Sequence, residues 1–166
     1  MDEEEYVAAQ EKKFILKQFT LKPTENKKEK TIDDVYGYDA ETFKDLKTDN
    51  QEVYGICLYN EDPIKQKQFY GADTIKLFCD YMDEIKTEVD TSKTHQTKKI
   101  GYIMMYGFNS SRFDNLLIFN ELHNRLPGLK YIIAGNQIKY IKYHNIIMID
   151  VNLYYAGSLS SVAESF

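Results

Sequence analysis

The chain has 166 residues, 43% of them hydrophobic, which is enough for one domain with a substantial core. Its net charge of -5 argues against tight non-specific binding of nucleic acid, but leaves open a small site that meets phosphate through metal ions. The acidic start MDEEEYVAAQ is no signal peptide, no apolar run reaches membrane-spanning length, and Cys57 and Cys79 each stand alone in an apolar run. We therefore expect an intracellular protein that is not secreted and has no membrane segment, disulfide framework or zinc cluster.

The composition divides the chain into two parts. Residues 1–33 are charged and poorly patterned, which predicts a charged N-terminal extension or linker. From residue 34 to residue 166 the hydrophobic pattern tightens into a single domain. Its first strands are predicted at 35–42 and 52–60, which could pair as a hairpin, and at 67–71.

A helix and a buried strand come next along the chain. Apolar residues at helical spacing predict a helix over 72–89, and Asp73 is placed to cap its start. The polar segment 90–99 is predicted to be a loop. The nearly continuous apolar run IGYIMMYGF (100–108) is typical of a central strand covered on both faces.

The remaining sequence predicts a second helix and three short strands. The helix covers 111–126 and ends at Pro127-Gly128. Its predicted apolar face consists of Phe113, Leu116, Leu117 and Leu122. Three strands joined by tight turns fit 130–151, and GSLSSVAESF (157–166) looks like the start of a further helix. Strands and helices in this order indicate an α/β domain built on a mixed sheet flanked by helices.

Two carboxylates share one side of the first strand, in the stretch YGYDAETF. Residues i and i+2 of a strand point to the same face, so Asp39 and Glu41 lie side by side, roughly 7 Å apart. Like charges at that distance near a core are costly unless a divalent cation neutralises them. The alternative interpretation is a strand whose acidic side simply faces water.

A second group of polar residues follows the buried strand, in FNSSRFD. Asp114 falls in the first turn of the predicted helix, directly after the strand's carboxyl end, with Asn109 and Phe113 before it. Ligands of open α/β sheets collect at this edge, and an acid there could help to hold Mg²⁺ or Mn²⁺. The alternative role of Asp114 is to cap the helix.

Taken together, these motifs resemble a known family. YDAET is similar to the first exonuclease motif of the family B DNA polymerases, and FNSSRFD resembles the second. The N-x3-F-D spacing and the apolar NLLIF after it are most similar to the protein-primed (type 2) branch, which comprises polymerases of linear plasmids, organelles and viruses. IIMIDVNLYYAGSLSSVAESF also resembles a segment of that branch, so the resemblance covers about residues 34–166.

The resemblance implies a 3′–5′ exonuclease (proofreading) domain with an RNase H-like, DnaQ-like fold. It implies that Mg²⁺ or Mn²⁺ ions in a two-metal site hydrolyse the 3′-terminal nucleotide of single-stranded DNA. The metal ligands and catalytic residues implied are Asp39, Glu41 and Asp114. The residues implied to contact the single strand are Thr42, Asn109 and Phe113.

The sequence departs from the family at the third exonuclease motif, Y-x3-D. Asp150 ends a predicted strand, but Ile146 stands where the tyrosine should be, and the polymerase palm motifs are absent. We therefore expect an exonuclease-type domain truncated at its C-terminus, with a possibly incomplete metal site. It would be either a piece of a polymerase or a stand-alone descendant, and whether it is an enzyme stays open. The alternative is a catalytically inactive, repurposed domain that binds nucleic acid or acts as a protein scaffold for another subunit.

Overall fold

The computed structural model describes residues 31–87, 101–155 and 157–163. These residues contain seven strands: β1 (Ile32–Lys44), β2 (Gln51–Tyr59), β3 (Lys67–Tyr70), β4 (Tyr102–Gly107), β5 (Lys130–Ala134), β6 (Gln137–Tyr143) and β7 (Ile146–Asp150). The helices in this part of the chain are α1 (Thr74–Ile85), α2 (Asp114–Arg125) and α3 (Leu159–Ala163), with single 3-10 turns at Pro63–Lys65 and Val151–Leu153. None of the described helices is long and apolar enough to cross a membrane.

The strands form one mixed sheet in the order β3-β2-β1-β4-β7-β6-β5. Strands β1, β2 and β3 pair antiparallel, as do β5, β6 and β7, whereas β4 lies parallel to both β1 and β7. The predicted α/β class, the mixed sheet, the first hairpin and the three late strands are confirmed. The parallel trio of β1, β4 and β7 directs three carboxyl ends toward one edge of the sheet.

Helices α1 and α2 cover one face of this sheet, and the core lies between the helices and the sheet. Met105 in β4 is fully buried on the helical side, while its neighbours Met104 and Tyr106 point to the other face and are half-buried. The prediction that this strand is covered on both faces therefore holds in full for one face only. The other fully buried core side chains include Ile56, Phe78, Met82, Ile118, Leu122, Ile141, Ile146 and Met148.

Helix α1 confirms its predicted apolar spacing but not its predicted cap. Asp73 occupies the N-cap position, yet its side chain makes no capping hydrogen bond. The buried Thr74 satisfies nearby backbone instead, since its hydroxyl donates to the carbonyl oxygens of Gly71 (2.7 Å) and Tyr54 (2.9 Å). The Asp73 carboxylate consequently remains exposed.

Helix α2 buries a different face from the predicted one. Phe113 and Leu116 are 58% and 42% exposed, and the residues turned toward the sheet are Asn115, Ile118 and Leu122. The helix begins at Asp114, and the polar Asn115 can lie in the core because its amide is fully hydrogen-bonded there. The predicted face therefore included Leu122 correctly and Phe113 and Leu116 wrongly.

The division between an extension (1–33) and a domain (34–166) stays a prediction, because residues 1–30 lie outside the described part of the chain. Strand β1 begins at Ile32, so the last residues assigned to the extension already belong to the sheet. The predicted loop at 90–99 and the final residues 164–166 also fall outside the described residues.

Candidate active site

The candidate site lies at the sheet edge where β4 and β7 end and α2 begins. Gly107, the last residue of β4, is paired with Asp150, the last residue of β7. Pairing of β4 with β1 ends at Gly37, so Asp39 stands just past the carboxyl end of β4. The chain then turns through residues 108–113, the junction loop, before α2 starts at Asp114. Three strands and one helix start therefore meet at this edge.

A glycine lets the junction loop pack against β4. A Cβ atom built on Gly107 would stand 2.6 Å from the Cβ of Ser110 and 2.7 Å from Cζ of Tyr38. Contacts that short do not occur between real side chains, so any larger residue would push the loop or the tyrosine away. Gly107, the glycine in YGF, is therefore required for α2 to lie beside β1.

Asp39 and Glu41 lie on the same face of β1, and both are exposed, as a water-facing pair would be. Asp39 is paired with Cys57 and Glu41 with Gly55 on the neighbouring strand. Glu41 is directed toward β3: the pKa of Tyr70 there is raised first by Cys57, whose Sγ is 3.6 Å from the hydroxyl, and further by the charge of Glu41. The two acids therefore share a face but approach different neighbours.

Asp114 is the acid that approaches Asp39. It is 8% exposed, and the backbone N–H of Ala40 on β1 lies near enough to its carboxylate to lower the pKa slightly. Burial raises the pKa of Asp114 to about 6, and the charge of Asp39 adds to the rise, with a smaller contribution from Asp150. The alternative capping role of Asp114 is not found, because Phe113 occupies the N-cap position of α2 and Asp114 is the first residue inside the helix. Two carboxylates from distant parts of the sequence are thus close enough to repel.

The three residues expected to contact a single strand lie on β1 and in the junction loop. Phe113 is 58% exposed at the N-cap of α2, which leaves its ring free to meet a ligand. Asn109 is half-buried and adopts a left-handed backbone (φ 56°), a conformation that asparagine tolerates better than most residues. Thr42 is half-buried on β1, next to the irregularity in its pairing with β2.

Beneath the junction loop lies a buried polar network that the sequence did not reveal. The Tyr38 hydroxyl donates to Oδ1 of Asn115, and Nδ2 of Asn115 donates to the carbonyl oxygen of Ile138 (2.8 Å). These bonds join β1, α2 and β6, so they fix the start of the helix that carries Asp114. No local pattern signals them, because the partners are far apart in sequence.

Asp150 is the second element that sequence reasoning left out of the site. It is 1% exposed, and its two carboxylate oxygens accept the backbone N–H groups of Ser111 (3.0 Å) and Asn152 (2.9 Å). One signal could have found it. An acid that ends a strand running parallel to β4 must arrive at the same sheet edge as the junction loop.

Asp39, Glu41 and Asp114 all carry carboxylates, the ligands that Mg²⁺ and Mn²⁺ prefer. Within residues 31–87, 101–155 and 157–163, no three side chains of His, Cys, Asp or Glu converge closely enough to hold a metal ion by themselves. What converges is the pair Asp39 and Asp114, with Glu41 farther along β1. Asp39 and Glu41 thus share a face of β1, and the charge of Asp39 acts on Asp114 at the start of α2.

Comparison with known proteins finds a likeness to solved structures. No family model and no curated protein matches the chain. The solved structures that match include Phi29 DNA polymerase complexed with primer-template DNA, in a post-translocation binary complex, at 17% sequence identity and a TM-score of 0.53. The alignment covers 80% of this chain but only 23% of that polymerase. At this identity the match shows a likeness of fold alone.

Proposed function

We propose that this chain carries a 3′–5′ exonuclease site of the protein-primed DNA polymerase type, which hydrolyses the 3′-terminal nucleotide of single-stranded DNA. The observation that carries the proposal is the approach of Asp114 to Asp39 across the sheet edge. Such a pair of acids is costly in a protein that does not use it, since each carboxylate raises the free energy of the other. Glu41, on the same face of β1, is the third acid of the proposed site.

The arrangement of the sheet supports this proposal. Three antiparallel strands, β1 to β3, are followed along the chain by α1 and then by β4 and β7. Strands β4 and β7 run in the same direction as β1. This order resembles the RNase H-like fold of such exonucleases. The likeness of fold to a polymerase whose structure contains primer-template DNA points the same way. We propose accordingly that the described domain is an RNase H-like module that works with the remainder of a polymerase or with another protein subunit.

The proposed cofactor is Mg²⁺ or Mn²⁺, and the donor chemistry of the edge fits it. Both ions prefer carboxylate oxygens, and Mg²⁺ is commonly held by one or two carboxylates together with phosphate oxygens of the substrate. A pair of acids without a complete cage matches that mode of binding. Asp39 and Asp114 would hold the ion, with Glu41 as a further ligand. When bound, the ions would neutralise charge at the scissile phosphate and supply an activated water.

The remaining residues of the site would bind and orient the single strand. The exposed ring of Phe113 can pack on a base or sugar at the 3′ end, a contact that does not depend on sequence. Asn109 and Thr42 offer hydrogen bonds to the sugar and phosphate on either side of the acid pair. Because the pKa of Asp114 is about 6, its carboxyl is mainly ionised at pH 7 and above. Metal binding should weaken below about pH 6, where this carboxyl is mainly protonated.

The first experiment is thermal melting with Mn²⁺, Mg²⁺ or no metal, followed by an assay of 3′-end release from a frayed DNA duplex. We expect Mn²⁺ to raise the Tm of the wild type, and Asp39→Asn to lose both this rise and the nuclease activity. Asp73→Asn is the matched control, since it removes one carboxylate that is exposed and makes no capping bond. A wild type that responds to neither metal and releases no nucleotide would refute the proposal.

A second candidate function is a catalytically inactive descendant that serves as a nucleic-acid-binding or scaffolding subunit. The observation that favours it is that no three His, Cys, Asp or Glu side chains of the described residues are grouped closely enough to hold a metal ion. Such a protein would show no metal-dependent rise in Tm. It would instead copurify with a partner subunit or bind single-stranded DNA in the presence of EDTA.

A further inference from the structure

We infer that Asp150 is a positioning residue that holds the junction loop in place and thereby sets Asp114 beside Asp39. This inference rests on the function proposed above, and it assigns a role to an acid that lies outside the proposed ligand set. Asp150 ends β7, directly opposite Gly107, and is 1% exposed.

Asp150 is held by backbone groups of the protein itself. Its Oδ2 accepts the N–H of Ser111 at 3.0 Å, and its Oδ1 accepts the N–H of Asn152 at 2.9 Å. Both oxygens are thus engaged by backbone donors within the protein, which is the usual way in which a buried carboxylate is stabilised. The hydrogen bonds of Asp150 therefore tie the junction loop to the end of β7.

The partner of Asp150 is itself fixed on its other side. The carbonyl oxygen of Ser111 accepts the N–H of Ile138 at 2.9 Å, so Ser111 is held by β7 through its N–H and by β6 through its carbonyl. Ser111 is 1% exposed and lies only three residues before Asp114. A shift of Ser111 would therefore move the start of α2 and the carboxylate that it carries.

The requirement is for a carboxylate in particular. Two N–H donors approach two different oxygens, and an asparagine has only one acceptor oxygen to offer. In Asp150→Asn the side-chain NH₂ must face either Ser111 N–H or Asn152 N–H, donor against donor. One of the two bonds is then lost in a buried site, where an unmet donor is costly.

The test compares Asp150→Asn with Asp62→Asn. Asp62 is a close structural match, because it also precedes a 3-10 turn and accepts the N–H two residues on (Ile64, 3.0 Å), but it lies far from the candidate site. Three quantities are measured on each protein: amide hydrogen exchange at Ser111, the amide proton shift of Ala40, and the Kd for Mn²⁺ by electron paramagnetic resonance. The first two need no metal.

In Asp150→Asn we expect exchange at Ser111 to accelerate at least about tenfold, and the Ala40 resonance to move because the nearby Asp114 carboxylate moves. We expect the Kd for Mn²⁺ to rise about 10–100-fold, as is usual when a residue that orients a ligand is removed. Asp62→Asn should leave all three within about twofold of the wild type. An Asp150→Asn protein with an unchanged Ala40 shift and Kd would overturn the inference.

Two further outcomes are also decisive. If Asp150→Asn does not fold, amide exchange of Ser111 in the wild type still tests the inference. Exchange at the rate of an unprotected loop would overturn it, and strong protection of this amide would support it. If the wild type binds no Mn²⁺, the proposed function fails. The Ser111 and Ala40 signals would then still decide whether Asp150 positions the loop.

Discussion

Replacing Asp114 by asparagine should stabilise the metal-free protein at neutral pH. The side chain keeps its shape, but it no longer buries a negative charge or places one beside Asp39. The pKa of Asp114 is about 6 in the folded protein against about 4 for a free carboxyl. A difference of about 2 pKa units corresponds to about 3 kcal/mol. Because Asp39 is exposed and solvent screens part of the repulsion, we expect about 1–2 kcal/mol.

Because the pKa of Asp114 is raised on folding, the stabilisation by Asp114→Asn depends on pH. Below about pH 4 the carboxyl is protonated in the folded and unfolded states, so wild type and Asp114→Asn should be nearly equal in stability. As pH rises from about 4 to about 6, the unfolded chain loses its proton first, and the wild type loses stability that the variant keeps. The full difference should be present at pH 7.5.

The assay is urea unfolding in EDTA at pH 4.5 and pH 7.5, supported by melting curves. For a chain of this length, 1–2 kcal/mol corresponds to a rise in Tm of roughly 2–8 °C. Asp73→Asn, which removes the same charge from an exposed position, should change the free energy of unfolding by less than about 0.5 kcal/mol at either pH. An Asp114→Asn protein that is no more stable than wild type at pH 7.5, or equally stabilised at both pH values, would refute the electrostatic argument.

Two further predictions test helix α2 and the single-strand contact. Leu122→Ala should lower the free energy of unfolding by about 2–5 kcal/mol, because Leu122 is fully buried. Leu116→Ala, at an exposed position, should lower it by less than about 1 kcal/mol. Urea titration of both variants checks which face of α2 is buried. Phe113→Ala should leave Tm nearly unchanged but weaken binding of a short single-stranded DNA by about tenfold, since one base–aromatic contact contributes about 1–3 kcal/mol; fluorescence anisotropy measures it, and unchanged affinity would remove Phe113 from the site.

Local sequence patterns were sufficient to predict most of the elements. Strand alternation, apolar runs and turn residues identify the strands, and the turn at Gly135 has the left-handed backbone (φ 61°) that glycine favours. His144 adopts the same region (φ 50°) in the next turn. These features depend on residues close together in the chain, so a single sequence contains enough information to place them.

The errors arose where long-range contacts override local preference. The buried face of α2 includes Asn115, which periodicity assigns to solvent, because the Tyr38 hydroxyl and the Ile138 carbonyl satisfy its amide. Asp73 occupies the N-cap position of α1, but nothing in the structure explains why its side chain makes no capping bond. Asp150 was left out of the site because its importance depends on β7 lying next to β4, a pairing that hydrophobic pattern does not specify.

Asp39, Asp114 and Asp150 lie at the sheet edge and differ in how far the protein compensates the charge of each carboxylate. That difference indicates their roles. Asp150 has backbone N–H donors on both oxygens and needs nothing more. Asp114 is buried, and burial together with the charge of Asp39 raises its pKa. Asp39 is exposed and can accept a ligand from solvent. A cation that approaches this edge would therefore gain most between Asp39 and Asp114, where negative charge is least compensated, while Asp150 keeps the loop in position.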